Sequence, residues 1–124
     1  MKQDFRDLVV WQKAIDFVAE IYRVTQAFPN EEKSGLTSQL RRASVSIPSN
    51  IAEGQGRLTR GEFRQFPGHA KGSVCEVETQ IIIAHKLGYL HEAQALLDKL
   101  HDVARLLNAL LNSLRAEGQL RTDN

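Results

Sequence analysis

The leucines near the C-terminus constrain the fold of this chain more than any other feature. Apolar residues recur there in alternating steps of four and three, which aligns them along one side of an α-helix. They are Leu96, Leu100, Val103, Leu107, Leu110 and Leu114, with Leu97, Ala104 and Leu111 beside them. Two adjacent stripes are too wide for a single helix contact. The segment therefore predicts a helix buried against two partners, either neighbouring helices or a second subunit.

A first helix is predicted over roughly residues 8–27 by the same spacing. The side chains expected on its core side are Trp11, Ile15, Val18, Tyr22 and Thr25, with Ala14, Ile21 and Phe28 on the flank. Pro29 disfavours helical geometry at the residue before it, so the helix should end there. Asn30 can then cap the next helix.

The second helix is predicted from Glu32 or Ser34 to Glu53, with an end at Gly54-Gln55-Gly56. Its expected buried residues are Leu36, Leu40, Ala43, Ile47 and Ile51. Pro48 lies inside this helix, where it lacks an amide donor and crowds the carbonyl of Ser44, so we expect a bend. Short polar side chains around Pro48 can satisfy the backbone groups that the bend frees.

The third helix should begin after a capping box formed by Thr59 and Glu62, and should end at Leu87-Gly88. Its expected buried residues are Phe63, Phe66, Ala70, Val74, Val77, Ile81 and Ala84. Pro67-Gly68 interrupts the pattern, which predicts either a kink there or a regular helix that starts only near His69.

Four helices with short connections predict an all-α fold, an antiparallel up-down-up-down four-helix bundle. The length of 124 residues suits one domain, residues 1–124, with frayed ends at about 1–6 and 118–124. The N-terminus shows no signal-peptide pattern, and the apolar runs fall far short of the roughly 20 residues that cross a membrane. We therefore expect a cytoplasmic protein with no membrane partner.

The net charge of +1 hides an uneven distribution along the chain. Residues 1–32 and 73–124 each carry two more acidic than basic groups, whereas residues 33–72 carry seven basic groups and two acidic ones. Such an excess attracts phosphate backbones or acidic partners, although solvated arginine surfaces are also common. The candidate nucleic-acid-binding residues are Arg41, Arg42, Arg57, Arg60, Arg64 and Lys71.

Arg41 and Arg42 point about 100° apart on a helix, so both cannot face one partner squarely. One of them is expected to pair inside the bundle with Glu76 or Glu78. An internal polar network and an external binding surface remain equally good interpretations of this stretch.

The sequence predicts neither enzyme activity nor a cofactor. Glu76 and Glu78 diverge around the third helix, so they form no general acid and base pair. The histidines fall on different helices or loop edges without the i, i+4 pairing of metal ligands, at His69, His85, His91 and His101. Cys75 is expected at a buried helix position, where a thiol is a poor nucleophile.

Three stretches of the chain resemble a known family, the four-helix-bundle family of 23S ribosomal RNA intervening-sequence proteins. The stretches are Phe5-Arg6-Asp7-Leu8-x-Val10-Trp11-Gln12-Lys13-Ala14, residues 35–54 around Val45-Ser46-Ile47-Pro48-Ser49-Asn50-Ile51-Ala52-Glu53-Gly54, and Gly72-Ser73-x-x-Glu76-x-Glu78-Thr79-Gln80. The resemblance runs from Phe5 to about Leu90. Pro67-Gly68 departs from it, because the family usually carries apolar helix formers after Phe66.

The resemblance implies an antiparallel bundle that assembles into a ring, typically a homopentamer, and that has no known enzymatic activity. A related branch serves retroelement reverse transcriptases as an accessory subunit, which suggests nucleic-acid binding. Two hypotheses stay open: an oligomeric module that binds RNA or DNA through the six basic residues, and a homo-oligomeric scaffold for a protein partner. Phe63 and Phe66, the aromatic residues near those arginines, are assigned to the core of the third helix, and this weighs against single-strand recognition by stacking.

Overall fold

The computed structural model describes residues 4–58 and 66–122, and the regular elements within those ranges are all helical. The four α-helices are α1 (Val9–Thr25), α2 (Leu36–Leu58), α3 (Phe66–Lys86) and α4 (Ala93–Thr122). Short 3-10 turns precede α1 and α2, at Phe5–Asp7 and Asn30–Glu32. The predicted all-α class is confirmed.

The four helices pack as a closed square. Helix α2 contacts α1 and α3, and α4 contacts α3 and α1. Arg41 near the start of α2 bonds Thr25 at the end of α1, and Lys99 near the start of α4 bonds Glu20 near the same end of α1. These contacts make α1 antiparallel to both of its neighbours, as an up-down-up-down bundle requires.

The core side of α1 is not the one that we predicted. The buried side chains are Val10, Ala14, Phe17, Ile21 and Thr25. Ile15 and Tyr22 are exposed instead, and Trp11 and Val18 are only half-buried. Both stripes are apolar and share the same spacing, one residue apart, so periodicity alone could not distinguish them.

The expected core of α2 is confirmed, but its ends are not. Leu36, Leu40, Ala43, Ile47 and Ile51 are all buried. The helix begins at Leu36 and continues past Gly54 to Leu58, so the predicted end at Gly54-Gln55-Gly56 is wrong. Gly54 is itself buried, and packing there outweighs the helix-propensity cost of about 1 kcal/mol per glycine.

Pro48 is buried inside α2, and the helix continues through it without interruption. Proline has no amide hydrogen, so the carbonyl of Ser44 loses its usual helical donor. The hydroxyls of Ser44, Ser46 and Ser49 donate to carbonyls of the preceding turn, at 2.9, 2.6 and 2.9 Å. The acceptors are the carbonyls of Arg41, Ala43 and Val45, and none is the carbonyl of Ser44. Both the satisfaction of the freed carbonyl by these serines and the bend therefore stay predictions.

Helix α3 begins at Phe66, so Pro67 occupies its first turn. An amide there has no partner within the helix, so proline removes no helical hydrogen bond. The predicted late start near His69 is therefore wrong, and the kink stays a prediction. The predicted capping box of Thr59 and Glu62 lies outside the described residues. At the other end Gly88 has φ +81°, and the amides of Gly88 and Tyr89 donate to the carbonyls of His85 and Ala84, both at 3.0 Å. This glycine-dependent end confirms the prediction.

The interior faces of α3 and α4 follow the sequence pattern. The predicted α3 residues Ala70, Val74, Val77, Ile81 and Ala84 are buried. On α4, Leu96, Leu100, Val103, Leu107 and Leu111 are buried, while Leu97, Ala104, Leu106 and Leu110 pack against the core half-buried. Neighbouring helices thus bury much of the wide leucine surface of α4. The helix continues to Thr122, beyond the predicted start of the polar tail at Gly118.

A clasp of three side chains ties together the loops at one end of the bundle. The Glu32 carboxylate accepts the Leu36 amide at 3.1 Å and the Tyr89 hydroxyl at 3.0 Å. The Tyr89 ring packs against Phe28, and the bond to Glu32 raises the pKa of the Tyr89 phenol. Gly35 makes room for the carboxylate, because a Cβ at that position would lie 2.6 Å from Glu32 Oε1.

Candidate nucleic-acid interface and its surroundings

The candidate basic residues do not share one environment. Arg42 and Lys71 are exposed, on α2 and α3 respectively, whereas Arg41 is half-buried. Arg57 lies in the last turn of α2, and Arg60 and Arg64 fall in residues 59–65, outside the described part of the chain. Of the six candidates, Arg42 and Lys71 are therefore exposed on described helices, and Arg41 makes contacts within the bundle.

Arg41 joins α2 to the end of α1. Its Nε donates to Thr25 Oγ1 at 2.8 Å and its Nη2 donates to the Tyr22 carbonyl at 3.3 Å. The guanidinium carbon lies 4.6 Å from the centre of the Tyr22 ring, a cation–π distance. A guanidinium near a helix C-terminus also interacts favourably with the carbonyls that have no helical donor. These contacts give Arg41 a structural role, because they hold α2 against the end of α1.

The predicted pairing of Arg41 with Glu76 or Glu78 is wrong. Glu76 accepts from Gln80 one turn along α3 at 3.3 Å, and Glu78 lies 3.3 Å from His101 on α4. Glu78 therefore faces α4, whereas α2 lies on the other side of α3. Charge matching in the sequence suggested an acidic partner, but the partners that Arg41 found are a hydroxyl, a carbonyl and an aromatic ring.

The contact between α2 and α3 is close and polar at one point. The hydroxyls of Ser46 and Ser73 lie at hydrogen-bonding distance, 2.6 Å between their Oγ atoms, and Ser73 Oγ lies 3.0 Å from the His69 carbonyl. Gln80, further along α3, is buried, and among the described residues its Oε1 has no hydrogen-bond partner. The polar stretch of α2 that includes Ser46 thus contributes to an internal network, as one of the two sequence interpretations held.

The seam between α1 and α4 is lined with charge. Glu20 accepts hydrogen bonds from Arg23, at 2.7 and 3.0 Å, and from Lys99 at 3.3 Å. These cations lower the pKa of Glu20 to about 2, mainly through the Arg23 bonds. A groove of about 340 Å³ runs beside them, lined by Lys13, Asp16, Phe17, Glu20, Lys99 and Asp102. Positive and negative groups alternate there, so the seam favours no single ligand charge.

A second groove, of about 470 Å³, lies where α3 ends and α4 begins. We call it the α3–α4 groove; its lining residues are Ile82, His85, His91, Glu92, Ala93, Gln94, Ala95 and Leu97. His85 Nδ1 donates to the Leu90 carbonyl at 2.9 Å, which orients its ring. Four of its eight lining side chains are aliphatic, which suits it to an apolar side chain.

The outer surface between α1 and α2 is mainly apolar. We call it the aromatic face, defined by Trp11, Ile15, Val18, Tyr22 and Val45. Ile15, Tyr22 and Val45 are exposed, Trp11 and Val18 are half-buried, and Phe5 packs edge-on against Trp11 at 5.3 Å between ring centres. The sequence already showed this face as an apolar stripe on the first helix. Four of its five residues belong to the stripe that we assigned to the core.

Metal-binding and nucleophilic groups are sparse among the described residues. Within them, no group of three or more His, Cys, Asp or Glu side chains could hold a metal ion. Cys75 is exposed on α3, which corrects the expected burial: its neighbours Val74 and Val77 are buried, and Cys75 lies on the opposite side of the helix.

None of the helices in ranges 4–58 and 66–122 is long and apolar enough to span a membrane.

Comparison with known proteins agrees with the fold and with the resemblance of the motifs. A family model described as 23S rRNA-intervening sequence protein matches residues 6–109, which include α1, α2, α3 and the first half of α4. No curated protein matches the chain significantly. Because the match covers most of the chain and coincides with a four-helix structure, the chain belongs to the 23S rRNA-intervening sequence protein family.

Proposed function

We propose that this protein is a non-enzymatic, homo-oligomeric module that binds nucleic acid through the phosphate backbone. The family resemblance implies five copies in a closed ring. The binding residues are the candidate basic residues other than Arg41, namely Arg42, Arg57, Arg60, Arg64 and Lys71. A cytoplasmic location suits such a module.

The observation that carries this proposal is the position of the basic segment in the bundle. Antiparallel packing brings the end of α2 and the start of α3 to one end of the bundle, so Arg57 and Lys71 approach the same end from two helices. The segment between these helices adds Arg60 and Arg64 in sequence. A ring repeats this cluster in every copy, and repeated weak phosphate contacts raise the overall affinity.

The expected mode is phosphate recognition with little dependence on base sequence. Arginine and lysine supply charge to the backbone, whereas sequence is read through base edges or by stacking. Among the described residues, the exposed aromatic ring that contacts a candidate arginine is that of Tyr22, and Arg41 already covers one side of it. Affinity should therefore fall steeply as salt rises.

Filter binding at two salt concentrations tests the proposal, with random single- and double-stranded DNA and RNA. The variant replaces Arg57, Arg60 and Arg64 together by alanine. Three lost phosphate contacts should weaken binding and flatten the slope of log affinity against log salt by about 3, roughly one for each cation. Circular dichroism should show unchanged helical content.

The matched control removes the same charge elsewhere, by replacing Arg23, Lys86 and Arg105 with alanine. These residues are exposed and lie away from the end that carries Arg57 and Lys71, so binding should change little. If both triple variants bind as the wild type does, or if the wild type binds nothing at low salt, the nucleic-acid proposal fails.

The aromatic face favours a second candidate, a homo-oligomeric scaffold with a protein partner and no nucleic acid. Interface centres are enriched in Trp, Tyr and Arg and depleted in other charges. Trp11, Tyr22 and Arg41 fit that description on one surface. This candidate replaces the first if the filter-binding experiment gives the negative result.

A further inference from the structure

The aromatic face is poor in charge compared with the rest of the helix surface. The uncharged residues Ala19, Gln26, Ser38 and Ser49 lie around it on the helical wheels of α1 and α2, and so does Arg42, three residues before Val45. Two arginines therefore border this face: Arg41, which already bonds Thr25 and Tyr22, and Arg42, which is exposed.

Tyr22 projects from this face in a fixed direction. Its side chain is exposed, with the residue 42% accessible, and Arg41 covers one side of the ring at 4.6 Å. Restricting an aromatic side chain before it binds lowers the entropy cost of placing it in a partner. The residue is therefore a preformed knob on an otherwise flat apolar surface.

The α3–α4 groove lies on the opposite side of the bundle at the same height. The bond between Glu20 and Lys99 sets residue 22 of α1 beside residue 97 of α4, since the two helices are antiparallel. The contact between Glu78 and His101 likewise sets residue 97 beside residue 82 of α3. Leu97 and Ile82 both line the groove. A knob on one side and a groove on the other thus occupy one level.

The charges around the two surfaces are complementary. Arg41 lies against Tyr22, whereas Glu92 lines the groove. Asp98 is exposed beside it and accepts a bond from Gln94, another lining residue, at 2.8 Å. A cation beside the knob and carboxylates at the groove attract each other, and the same carboxylates repel phosphate.

We infer that Tyr22 of one copy inserts into the α3–α4 groove of the next copy, with the aromatic face as the surrounding contact. The inference rests on the proposed homo-oligomer and names its contact surfaces. Because the two surfaces differ and lie on opposite sides of the chain, the contact is heterologous, and repetition closes a ring when the rotation allows it. A second copy is the occupant because this chain itself carries both complementary halves.

Light scattering after gel filtration tests the contact with two variants, Tyr22→Glu and Ile82→Glu. The first places a carboxylate opposite Glu92 and keeps a partner for Arg41 within its own chain. The second places a carboxylate on the groove wall. Wild type should show a multiple of the 14.0 kDa chain mass, and each variant alone should show the mass of one chain.

A one-to-one mixture of the two variants gives the decisive result. Tyr22→Glu retains an intact groove and Ile82→Glu retains an intact knob, so the mixture should form a dimer of twice the chain mass and nothing larger. A contact between identical surfaces would not recover on mixing. Mixed samples that stay at the mass of one chain therefore overturn the heterologous contact.

Matched controls are Ile83→Glu and Val9→Glu. Ile83 is 42% exposed against 43% for Ile82, but it lies about 100° away on α3, outside the groove. Val9 is exposed at the start of α1, outside the aromatic face. Both controls should keep the wild-type mass, and their dissociation would count against the inference.

The failure of this contact can be distinguished from the failure of the proposed oligomer. A wild-type oligomer that survives both Tyr22→Glu and Ile82→Glu overturns the inferred contact and leaves the oligomer standing. A wild-type mass of one chain at micromolar concentration overturns both. Far-ultraviolet circular dichroism of each variant confirms that a change in mass does not follow from unfolding.

Discussion

Helix α1 separates two unlike surfaces. Toward α4 its outer residues are charged, and Glu20 bonds both Arg23 and Lys99 across the seam. Toward α2 the outer residues are Trp11, Ile15 and Tyr22, and Arg41 lies against the Tyr22 ring. The same helix thus presents a charged surface on one side and an apolar surface on the other.

The difference shows which of the two surfaces would gain free energy if a partner covered it. Exposed ion pairs are well solvated and add little stability, so the α1–α4 seam loses nothing by facing water. An aromatic and aliphatic surface gains free energy whenever another surface covers it, at about 25 cal/mol for each Å² removed from water. The α1–α2 surface is therefore the one that a partner would stabilise.

The largest expected effect compares two isoleucines on α1. Ile21 has no accessible surface and Ile15 is 40% exposed. Ile21→Ala should lower the free energy of unfolding by about 2–5 kcal/mol, because it leaves a cavity among packed side chains. Ile15→Ala should cost less than about 1 kcal/mol in the same urea titration. Equal losses would show that the two sides of α1 do not differ in burial.

Arg41→Ala should give the next largest effect. It removes two hydrogen bonds and the stacking on Tyr22, which together contribute about 2 kcal/mol. Arg42→Ala is the matched control on the same helix, and its exposed side chain should change stability by less than about 0.5 kcal/mol. Chemical denaturation of both variants would contradict our account of Arg41 if the two losses were alike.

The smallest effect is expected at Glu20, on the charged side. Its pKa is lowered to about 2 from the usual 4.5, so the ion pairs stabilise the folded state above pH 4.5. This contribution is lost as the pH falls toward 2. Glu20→Gln should therefore cost less than about 1 kcal/mol at pH 7 and nothing at pH 2.

Salt provides the control for that prediction. A high salt concentration at pH 7 should shrink the difference between wild type and Glu20→Gln, since the carboxylate and its partners are open to water. Denaturation curves at two salt concentrations measure the change. A difference that persists at pH 2 would mean that packing, rather than charge, accounts for the effect of the substitution.

The sequence was most informative where a local rule decides the structure. The end of α3 followed from Gly88 alone, since the left-handed conformation at a helix end is favourable for glycine. The core residues of α2 followed from their spacing, because its other side is polar and offers no competing stripe. The end of α2 did not follow, because packing around the buried Gly54 outweighs its poor helix propensity.

The candidate site was harder to predict, because its partners are distant in sequence and partly uncharged. Arg41 binds residues 16 and 19 positions away, through a hydroxyl and a backbone carbonyl that no charge count includes. The choice between the two apolar stripes of α1 depends on how the neighbouring helices pack around them. Spacing within a single helix carries no information about that packing.

The clasp at Glu32 has a consequence for the lifetime of the fold. The bond from Tyr89 to Glu32 joins residues 57 positions apart, so it closes a long stretch of chain. Contacts of that span form late, after the helices between them have packed. Removal of the Tyr89 hydroxyl by Tyr89→Phe should therefore speed unfolding and leave the refolding rate nearly unchanged in stopped-flow experiments. The clasp governs how long the bundle stays closed at this end, rather than how quickly it assembles.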